Sequence, residues 1–236
     1  DWLDHQAATQ GETEAFVFFD GQPAFRWGEL HTQARRIAGH LTALGITKSE
    51  SVAMLLPNGR ESISCLFGVL YGGFRATVIN LVAGDDAIGY ALEHCDARFA
   101  IVGANQLEQF EKVKPAHISE ITPEDIPSQH PDVQFFDLQE DNQALLMYTS
   151  GTTGRPKGVV HTHASLLAGG WTTAVAHALE PHDRGLCVLP LYHINGLCVT
   201  IMGTLVSGGS LAIAQKCSVG QFLKQCAQAA VTWYSV

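Results

Sequence analysis

The apolar residues of the chain recur at helical spacing in some stretches and form short continuous runs in others. Between residues 25 and 46 they stand three or four positions apart, which predicts an amphipathic helix ended by Gly45. The run SVAMLLP (51–57) has the length of a buried strand, ESISCLFGVLYGG (61–73) reads as a buried helix, and RATVIN (75–80) as a second strand. A strand, a helix and a strand in this order predict a parallel crossover unit.

The same succession returns in LCVLPLYHINGLCVTIMGTLVSGGSLAIA (186–214), so the pattern predicts two similar α/β lobes. The uncharged stretch 197–214 has the length of a membrane span, but SGGS interrupts it. We favour a buried helix that ends at Gly208 and is followed by a strand. Residues 111–143 hold four prolines and many acidic residues without sustained periodicity, which predicts a surface connector.

Composition and charge narrow the class of protein. Of the 236 residues, 46% are apolar, and the formal net charge of −9 argues against nucleic acid or an anionic membrane as the main partner. Only 16% are charged, below the roughly 25% of an average soluble domain, so part of the surface is expected to be covered, for instance in a homo-oligomer. Six cysteines without a C-x-x-C pair, and a start unlike a signal peptide, favour a reduced, cytoplasmic protein.

The stretch YTSGTTGRPKG (148–158) carries the most specific chemistry of the chain. Hydroxyl side chains can donate to phosphate oxygens, glycines let backbone N–H groups approach a ligand, and a lysine adds a point charge. The spacing is not that of a Walker A loop, G-x-x-x-x-G-K-[ST], and strands rather than a helix flank it. The pattern therefore predicts a polyphosphate loop of another type, with a hydroxyl-rich hairpin that binds nothing as the alternative.

These residues resemble a known family. YTSGTTGRPKGVV is similar to the signature loop of the adenylate-forming (AMP-binding) superfamily, which includes acyl-CoA synthetases, firefly luciferase and the adenylation domains of peptide synthetases. RWGEL, LLPNGRE, GVVHTH and LPLYHINGL extend the resemblance over nearly the whole chain. It implies an α/β fold of two interleaved lobes with mostly parallel sheets and flanking helices, layered αβαβα and incomplete at the C-terminus. Residues of about 1–50 and 184–236 would form one lobe and about 51–183 the other.

The resemblance also implies an activity and a set of site residues. ATP and Mg²⁺ would convert a carboxylic acid to an acyl adenylate with loss of pyrophosphate, and coenzyme A would then take the acyl group. The polyphosphate grip would consist of Thr149, Ser150, Gly151, Thr152, Thr153, Gly154 and Lys157. The acid would meet Tyr192, His193, Asn195 and Gly196. Lys157 and His193 are the candidate catalytic residues, and no metal ligand is assigned within the chain.

The histidines leave alternatives open. His193 would be a wall between the nucleotide, the acid and the thiol, but a histidine bonded only to backbone would suit the same strand-to-helix turn. His161 and His163 stand two apart, as metal ligands on a strand could, yet no acid or cysteine accompanies them at useful spacing. We therefore expect a structural role for both, with His163 near the start of a helix.

The residues next to Tyr192 indicate the substrate class, and the family segments missing from residues 1–236 indicate whether the site is complete. His193 and Ile194, rather than an acid, follow Tyr192, so a fatty or aryl acid is favoured over an amino acid. The family's magnesium-binding and ribose-binding segments, and its C-terminal lobe with a catalytic lysine, are absent from these residues. We expect the N-terminal part of a longer acid–CoA ligase, inactive alone. A non-catalytic nucleotide- or acyl-binding module, a peptide synthetase domain and a luciferase-like enzyme remain alternatives.

Overall fold

The computed structural model describes residues 2–129, 135–149 and 156–236. The chain forms two compact units whose segments interleave along the sequence. Unit 1 comprises Asp1–Thr32, Asn58–Arg60 and Ala164–Val236, and unit 2 comprises Gln33–Pro57 and Glu61–His163.

The elements are numbered in chain order. The strands are β1 (Glu14–Phe18), β2 (Phe25–Arg26), β3 (Ser51–Leu55), β4 (Arg75–Val78), β5 (Phe99–Val102), β6 (Ser119–Ile121), β7 (Gln143–Thr149), β8 (Lys157–Thr162), β9 (Arg184–Cys187), β10 (Ser210–Ile213) and β11 (Trp233–Ser235). The helices are α1 (Trp2–Gln10), α2 (Trp27–Ala43), α3 (Arg60–Tyr71), α4 (Asp85–His94), α5 (Leu107–Val113), α6 (His163–Ala176), α7 (Gly203–Ser207) and α8 (Val219–Gln228). A π-helix, Asn195–Met202, runs directly into α7.

The sheet of unit 2 has the strand order β6-β5-β3-β4-β7-β8. Its neighbouring strands are parallel except β7 and β8, which form an antiparallel hairpin. Every residue of β3 is buried, as expected for a central parallel strand covered on both faces. The buried hydroxyls of Ser51 on β3 and Thr77 on β4 lie 2.6 Å apart and satisfy each other, which limits the cost of placing them in this core.

The sheet of unit 1 has the strand order β11-β9-β10-β1-β2. Its neighbours are parallel except β1 and β2. The rings of Phe16 and Trp27 are fully buried in its core, with centroids 6.0 Å apart in an edge-to-face arrangement. Both sheets are therefore mostly parallel with an antiparallel pair at one edge, and helices flank them. The predicted α/β fold class is confirmed.

Glycines end two of the predicted helices where the sequence indicated. α2 is followed by Gly45 at φ 76°, and α7 ends at Gly208 with φ 72°, the left-handed conformation that glycine adopts without strain. The π-helix and α7 together form the buried helix predicted between the LPLYHINGL loop and the last part of the core. Within the described ranges, no helix has the length and hydropathy needed to cross a bilayer.

The two compact units divide the chain at residues other than the predicted lobe boundaries near 50 and 183. The second half of α2 belongs to unit 2, where Arg35 donates from Nη1 to the Tyr71 hydroxyl on α3 at 3.1 Å. Helix α6 belongs to unit 1, because its Gly170 packs directly against the backbone of Met202. The predicted boundaries at residues 50 and 183 were placed beside strands. The helices next to them pack against elements that are distant in sequence, so the units divide elsewhere.

The predicted connector, residues 111–143, is only partly a loop. Its start completes α5, and β6 pairs in parallel with β5 at the edge of the sheet. Ile118, Ile121 and Ile126 are buried at 3–5% exposure, which is what holds this segment against unit 2. Three isoleucines spread among prolines and acids are too few to produce a strand or helix period, so the pattern alone missed them.

Candidate functional site

The β7–β8 hairpin brings the two ends of the predicted phosphate loop together. Thr149 pairs with Lys157 across the ladder, and the Thr149 hydroxyl donates to the Lys157 carbonyl at 3.4 Å. Residues directly opposite one another in an antiparallel pair place their side chains on the same face of the sheet. The Thr149 hydroxyl and the Lys157 ammonium therefore project from one face, at the mouth of the loop.

Tyr148, the residue before Thr149, points to the other face and fixes the hairpin to α4. Its hydroxyl donates to the Ala91 carbonyl at 3.2 Å and accepts a hydrogen bond from Nδ1 of His94 at 3.0 Å. The His94 ring stacks on Tyr90, with centroids 5.5 Å apart. Burial raises the pKa of the Tyr148 phenol, so this hydroxyl keeps its proton for the Ala91 bond at every physiological pH. The loop thus begins from an anchored strand.

The central part of the loop was predicted to hold the polyphosphate. Those residues lie outside the part of the chain that the structure describes: Ser150, Gly151, Thr152, Thr153 and Gly154. Their role in the grip stays a prediction. What the geometry adds is that Thr149 and Lys157, which flank them, meet on one face of unit 2.

The second predicted constellation lies in unit 1, just after the carboxyl end of β9. The rings of Tyr192 and His193 are 4.8 Å apart at an angle of 54°, and the His193 ring is exposed. The backbone turns tightly here, because the His193 amide donates to the Pro190 carbonyl at 3.0 Å and the His193 carbonyl accepts from Leu197 at 3.1 Å. Burial raises the pKa of the Tyr192 hydroxyl, which therefore acts as a neutral group.

Asn195 and Gly196 open the π-helix at the end of this turn. A Cβ atom at Gly196 would lie 2.7 Å from the Pro190 carbonyl oxygen, so only glycine lets the helix start so close to the turn. The Asn195 Oδ1 atom is buried and has no hydrogen-bond partner among the described residues. A buried acceptor without a donor is a group that a bound ligand can satisfy. Tyr192, His193, Asn195 and the buried Gly196 therefore lie within one tight turn, and their contact with the acid stays a prediction.

The predicted structural role of His163 can be compared with its geometry. His163 begins α6, its amide donates to the Asn142 carbonyl at 3.1 Å, and its Nε2 is buried without a partner among the described residues. His161 lies on β8 opposite Leu145, so the two histidines belong to different elements. Across the described residues, no group of three or more His, Cys, Asp and Glu side chains is placed to hold a metal ion.

Burial lowers the pKa of His163 below its ordinary value of 6.5, and this has a consequence for stability. The unfolded chain binds a proton at this residue more readily than the folded chain, so acid favours unfolding. The contribution is complete above pH 6.5 and is lost as the pH falls toward the lower, folded-state pKa. We expect the free energy of unfolding, measured in urea, to fall between pH 7 and pH 5.5.

His163→Gln should flatten this slope, because the substitution removes the titrating group at the same site. The exposed His117→Gln is the matched control and should leave the slope as it is in the unsubstituted protein. Equal slopes in the protein and in His163→Gln would show that another group titrates in this range.

The sequence and the fold of this chain can now be compared with those of known proteins. The sequence profile of the family described as AMP-binding enzyme matches residues 3–236. The chain belongs to the AMP-binding enzyme family. The predicted resemblance is confirmed.

Relatives of this AMP-binding chain include several CoA ligases. The sulfoacetate–CoA ligase of Cupriavidus necator is 35% identical over 228 residues, which cover 92% of this chain and 45% of that protein. The 2-succinylbenzoate–CoA ligase of Bacillus licheniformis is 28% identical over 235 residues, covering 100% of this chain and 48% of the relative. The chain thus spans about half the length of the curated relatives it matches.

Solved structures share the fold. The O-succinylbenzoate coenzyme A synthetase of Bacillus subtilis, in complex with ATP and magnesium ion, superimposes with a TM-score of 0.86 at 25% identity. The match covers 99% of this chain and 62% of that one. The N-terminal domain of FACL13 from Mycobacterium tuberculosis gives a TM-score of 0.88 at 24% identity, covering 100% of this chain and 61% of that one, and shows the fold alone.

The geometry adds residues that the AMP-binding motifs did not single out. Tyr148 and His94 fix the hairpin, although only Tyr148 belongs to the quoted loop. Asn58 lies in the LLPNGRE stretch and forms hydrogen bonds to residues more than 130 positions away. The sequence shows an asparagine directly after the proline that ends a strand. That position alone does not predict which residues Asn58 bonds to.

Proposed function

We propose that the protein to which this chain belongs is an ATP-dependent acid–CoA ligase. A carboxylate oxygen attacks the α-phosphorus of ATP, the bond to the bridging oxygen breaks, and pyrophosphate leaves with the electron pair. The thiol of coenzyme A then attacks the carbonyl carbon of the acyl adenylate, AMP leaves, and the thiol proton is released. The observation that carries the proposal is the pairing of Thr149 with Lys157 at the mouth of a family-type phosphate loop.

In this proposal the hairpin supplies electrostatic stabilisation. The Thr149 hydroxyl and the Lys157 ammonium bind the β- and γ-phosphate oxygens, together with the loop residues between them, as charge builds on the departing pyrophosphate. Mg²⁺ bound with ATP would neutralise part of the phosphate charge, since this hard cation prefers oxygen ligands such as those of the triphosphate. The hydroxyl donors and the Lys157 ammonium fit a triphosphate that carries its own metal ion.

The turn in unit 1 would receive the acid. Tyr192 offers an aromatic wall and His193 a polar ring, whereas the buried Asn195 Oδ1 can accept only from a donor group on the ligand and not from the carboxylate itself. His193 and Ile194 follow Tyr192, so neither of these two positions offers a carboxylate to pair with a substrate amine. We therefore propose a carboxylic acid without an α-amino group, fatty or aryl, as the substrate class.

Carboxylate-dependent exchange of labelled pyrophosphate into ATP tests the proposal. The whole protein would be assayed with sulfoacetate, 2-succinylbenzoate, a long-chain fatty acid and 4-coumarate, with leucine as the amino-acid control. We expect exchange with at least one acid and none with leucine, followed by acyl-CoA formation when coenzyme A is added. ATP binding without exchange for any acid would favour a non-catalytic nucleotide-binding module instead.

Two further assignments belong to the same proposal. We place the protein in the cytoplasm, a prediction consistent with its six cysteines, all of which are free. A homo-oligomer stays a prediction. Residues 1–236 alone are expected to bind ATP without completing the reaction, since they cover about half the length of the ligases they resemble.

A further inference from the structure

Asn58 occupies an unusual place in the chain. The segment Asn58–Arg60 belongs to unit 1, whereas the residues on both sides of it belong to unit 2. Asn58 is buried, with 7% of its surface exposed. A buried amide side chain is costly unless its polar atoms are paired, so its hydrogen bonds show what it holds.

Both ends of the Asn58 amide are used on backbone groups. Its Nδ2 donates to the Leu189 carbonyl at 2.9 Å and to the Ala214 carbonyl at 3.2 Å. Its Oδ1 accepts from the Leu191 amide at 3.1 Å. Leu189 and Ala214 lie just beyond the carboxyl ends of β9 and β10, the edge at which open α/β sheets bind ligands. Asn58 therefore ties the ends of two neighbouring strands to the residue before Tyr192.

Arg60 anchors the segment that carries Asn58. Its guanidinium lies 3.4 Å from the centroid of the Phe25 ring, and its Nη1 donates to the Pro23 carbonyl at 2.7 Å. Burial lowers the pKa of this guanidinium, and the nearby Glu29 opposes that effect. The cation–π contact and the hydrogen bond hold the segment in place from the far side, so Asn58 acts from a fixed support.

The bonds of Asn58 pass to His193 through the backbone. With Leu189 and Leu191 held, the peptide of Pro190 between them is held as well, and its carbonyl accepts the His193 amide at 3.0 Å. The same Pro190 carbonyl oxygen lies so close to Gly196 that a Cβ atom there would clash with it. Displacement of the 189–191 backbone would therefore move Tyr192, His193 and the start of the π-helix together.

We propose that Asn58 is a positioning residue for the acid-binding turn: it fixes the 189–191 backbone so that Tyr192 and His193 are presented in one orientation. The assignment of that turn to the acid rests on the proposed function. Only an amide of this length supplies two donors and one acceptor to these three backbone atoms. An aspartate would place its carboxylate against two carbonyl oxygens, and an alanine would leave all three groups unpaired.

The experiment compares Asn58→Ala and Asn58→Asp with the exposed Asn105→Ala and Asn105→Asp in the whole protein. We expect kcat for acid-dependent pyrophosphate exchange, per folded molecule, to fall about tenfold or more in Asn58→Ala and further in Asn58→Asp. The KM for ATP should stay within about twofold, because the hairpin that binds it is not touched. Both Asn105 variants should match the parent protein.

Amide hydrogen exchange supplies a readout that does not depend on activity. Asn58→Ala should speed exchange at residues 191–197 while the β7–β8 hairpin keeps its protection. Unchanged exchange at 191–197, or an unchanged kcat per folded molecule, would overturn the positioning role. A parent protein that activates no acid would count against the proposed function, and the hydrogen-exchange comparison would still decide the role of Asn58.

Discussion

Replacing Lys157 with alanine is expected to lower kcat for ATP-dependent activation by about 10²–10³-fold, the usual effect of removing one preorganised charge or donor from a site of charge development. The reason lies in the hairpin. Lys157 is held by the ladder opposite Thr149, so its side chain extends from a backbone that the sheet fixes. No other lysine or arginine stands in the YTSGTTGRPKG loop except Arg155, whose placement lies outside the described residues.

The measurement is pyrophosphate exchange at saturating ATP, with ATP binding followed separately by titration. Lys157→Arg keeps the charge but changes its shape, and it should recover part of the rate if the role is electrostatic. The exposed Lys216→Ala, in unit 1, is the matched control and should behave as the parent protein. An unchanged kcat together with unchanged ATP affinity in Lys157→Ala would remove this residue from the polyphosphate grip.

Gly170→Ala is expected to destabilise the protein by about 2–3 kcal/mol, within the range for overpacking a tight core. A Cβ at this position of α6 would lie 2.6 Å from the Met202 carbonyl oxygen and 2.7 Å from its carbonyl carbon. These are backbone atoms of the π-helix, so no side-chain rotation can relieve the contact. The gain of about 1 kcal/mol in helix propensity from glycine to alanine is too small to offset it.

Gly220→Ala provides the opposite case in a second helix of the same unit. A Cβ at Gly220, in α8, meets no atom within 4 Å, so only the propensity term acts and we expect stabilisation by about 0.5–1 kcal/mol. Urea unfolding of both variants measures the difference. If Gly170→Ala proved as stable as the parent protein, α6 would have to pack on the π-helix less closely than the structure shows.

Sequence reasoning succeeded where the signals are local. The β3–α3–β4 crossover followed from one apolar run, one buried helix and one further run, all within 30 residues, and the caps at Gly45 and Gly208 are single-residue signals. α1 was not anticipated, because it owes its place to polar contacts: Gln6 is buried and donates to the Leu205 carbonyl at 2.8 Å. Apolar periodicity does not register a buried glutamine.

The site was predicted unevenly for the same reason. Residue types alone predicted that Thr149 and Lys157 belong to a phosphate loop, since hydroxyls, glycines and a lysine are informative without any fold, and that role stays a prediction. Their cross-strand pairing needed the register of β7 and β8, and the role of Asn58 needed partners 131 and 156 positions away. The π-helix was also missed, because its residues have the pattern of an ordinary buried apolar helix and that pattern does not distinguish a π-helix from an α-helix.

The interleaving of the two units limits how this chain can be divided and in what order it can fold. Unit 1 takes its segments from the beginning, the middle and the end of the chain, so every single cleavage leaves it split between two fragments. A split-protein reporter or a domain truncation would have to keep both pieces associated. During synthesis all of unit 2 leaves the ribosome before β10 exists to pair with β1, in the register of Phe16 with Leu211. Until β10 is made, β1 has only the two-residue strand β2 as a partner, and its other edge stays open in the nascent chain, where a chaperone can bind.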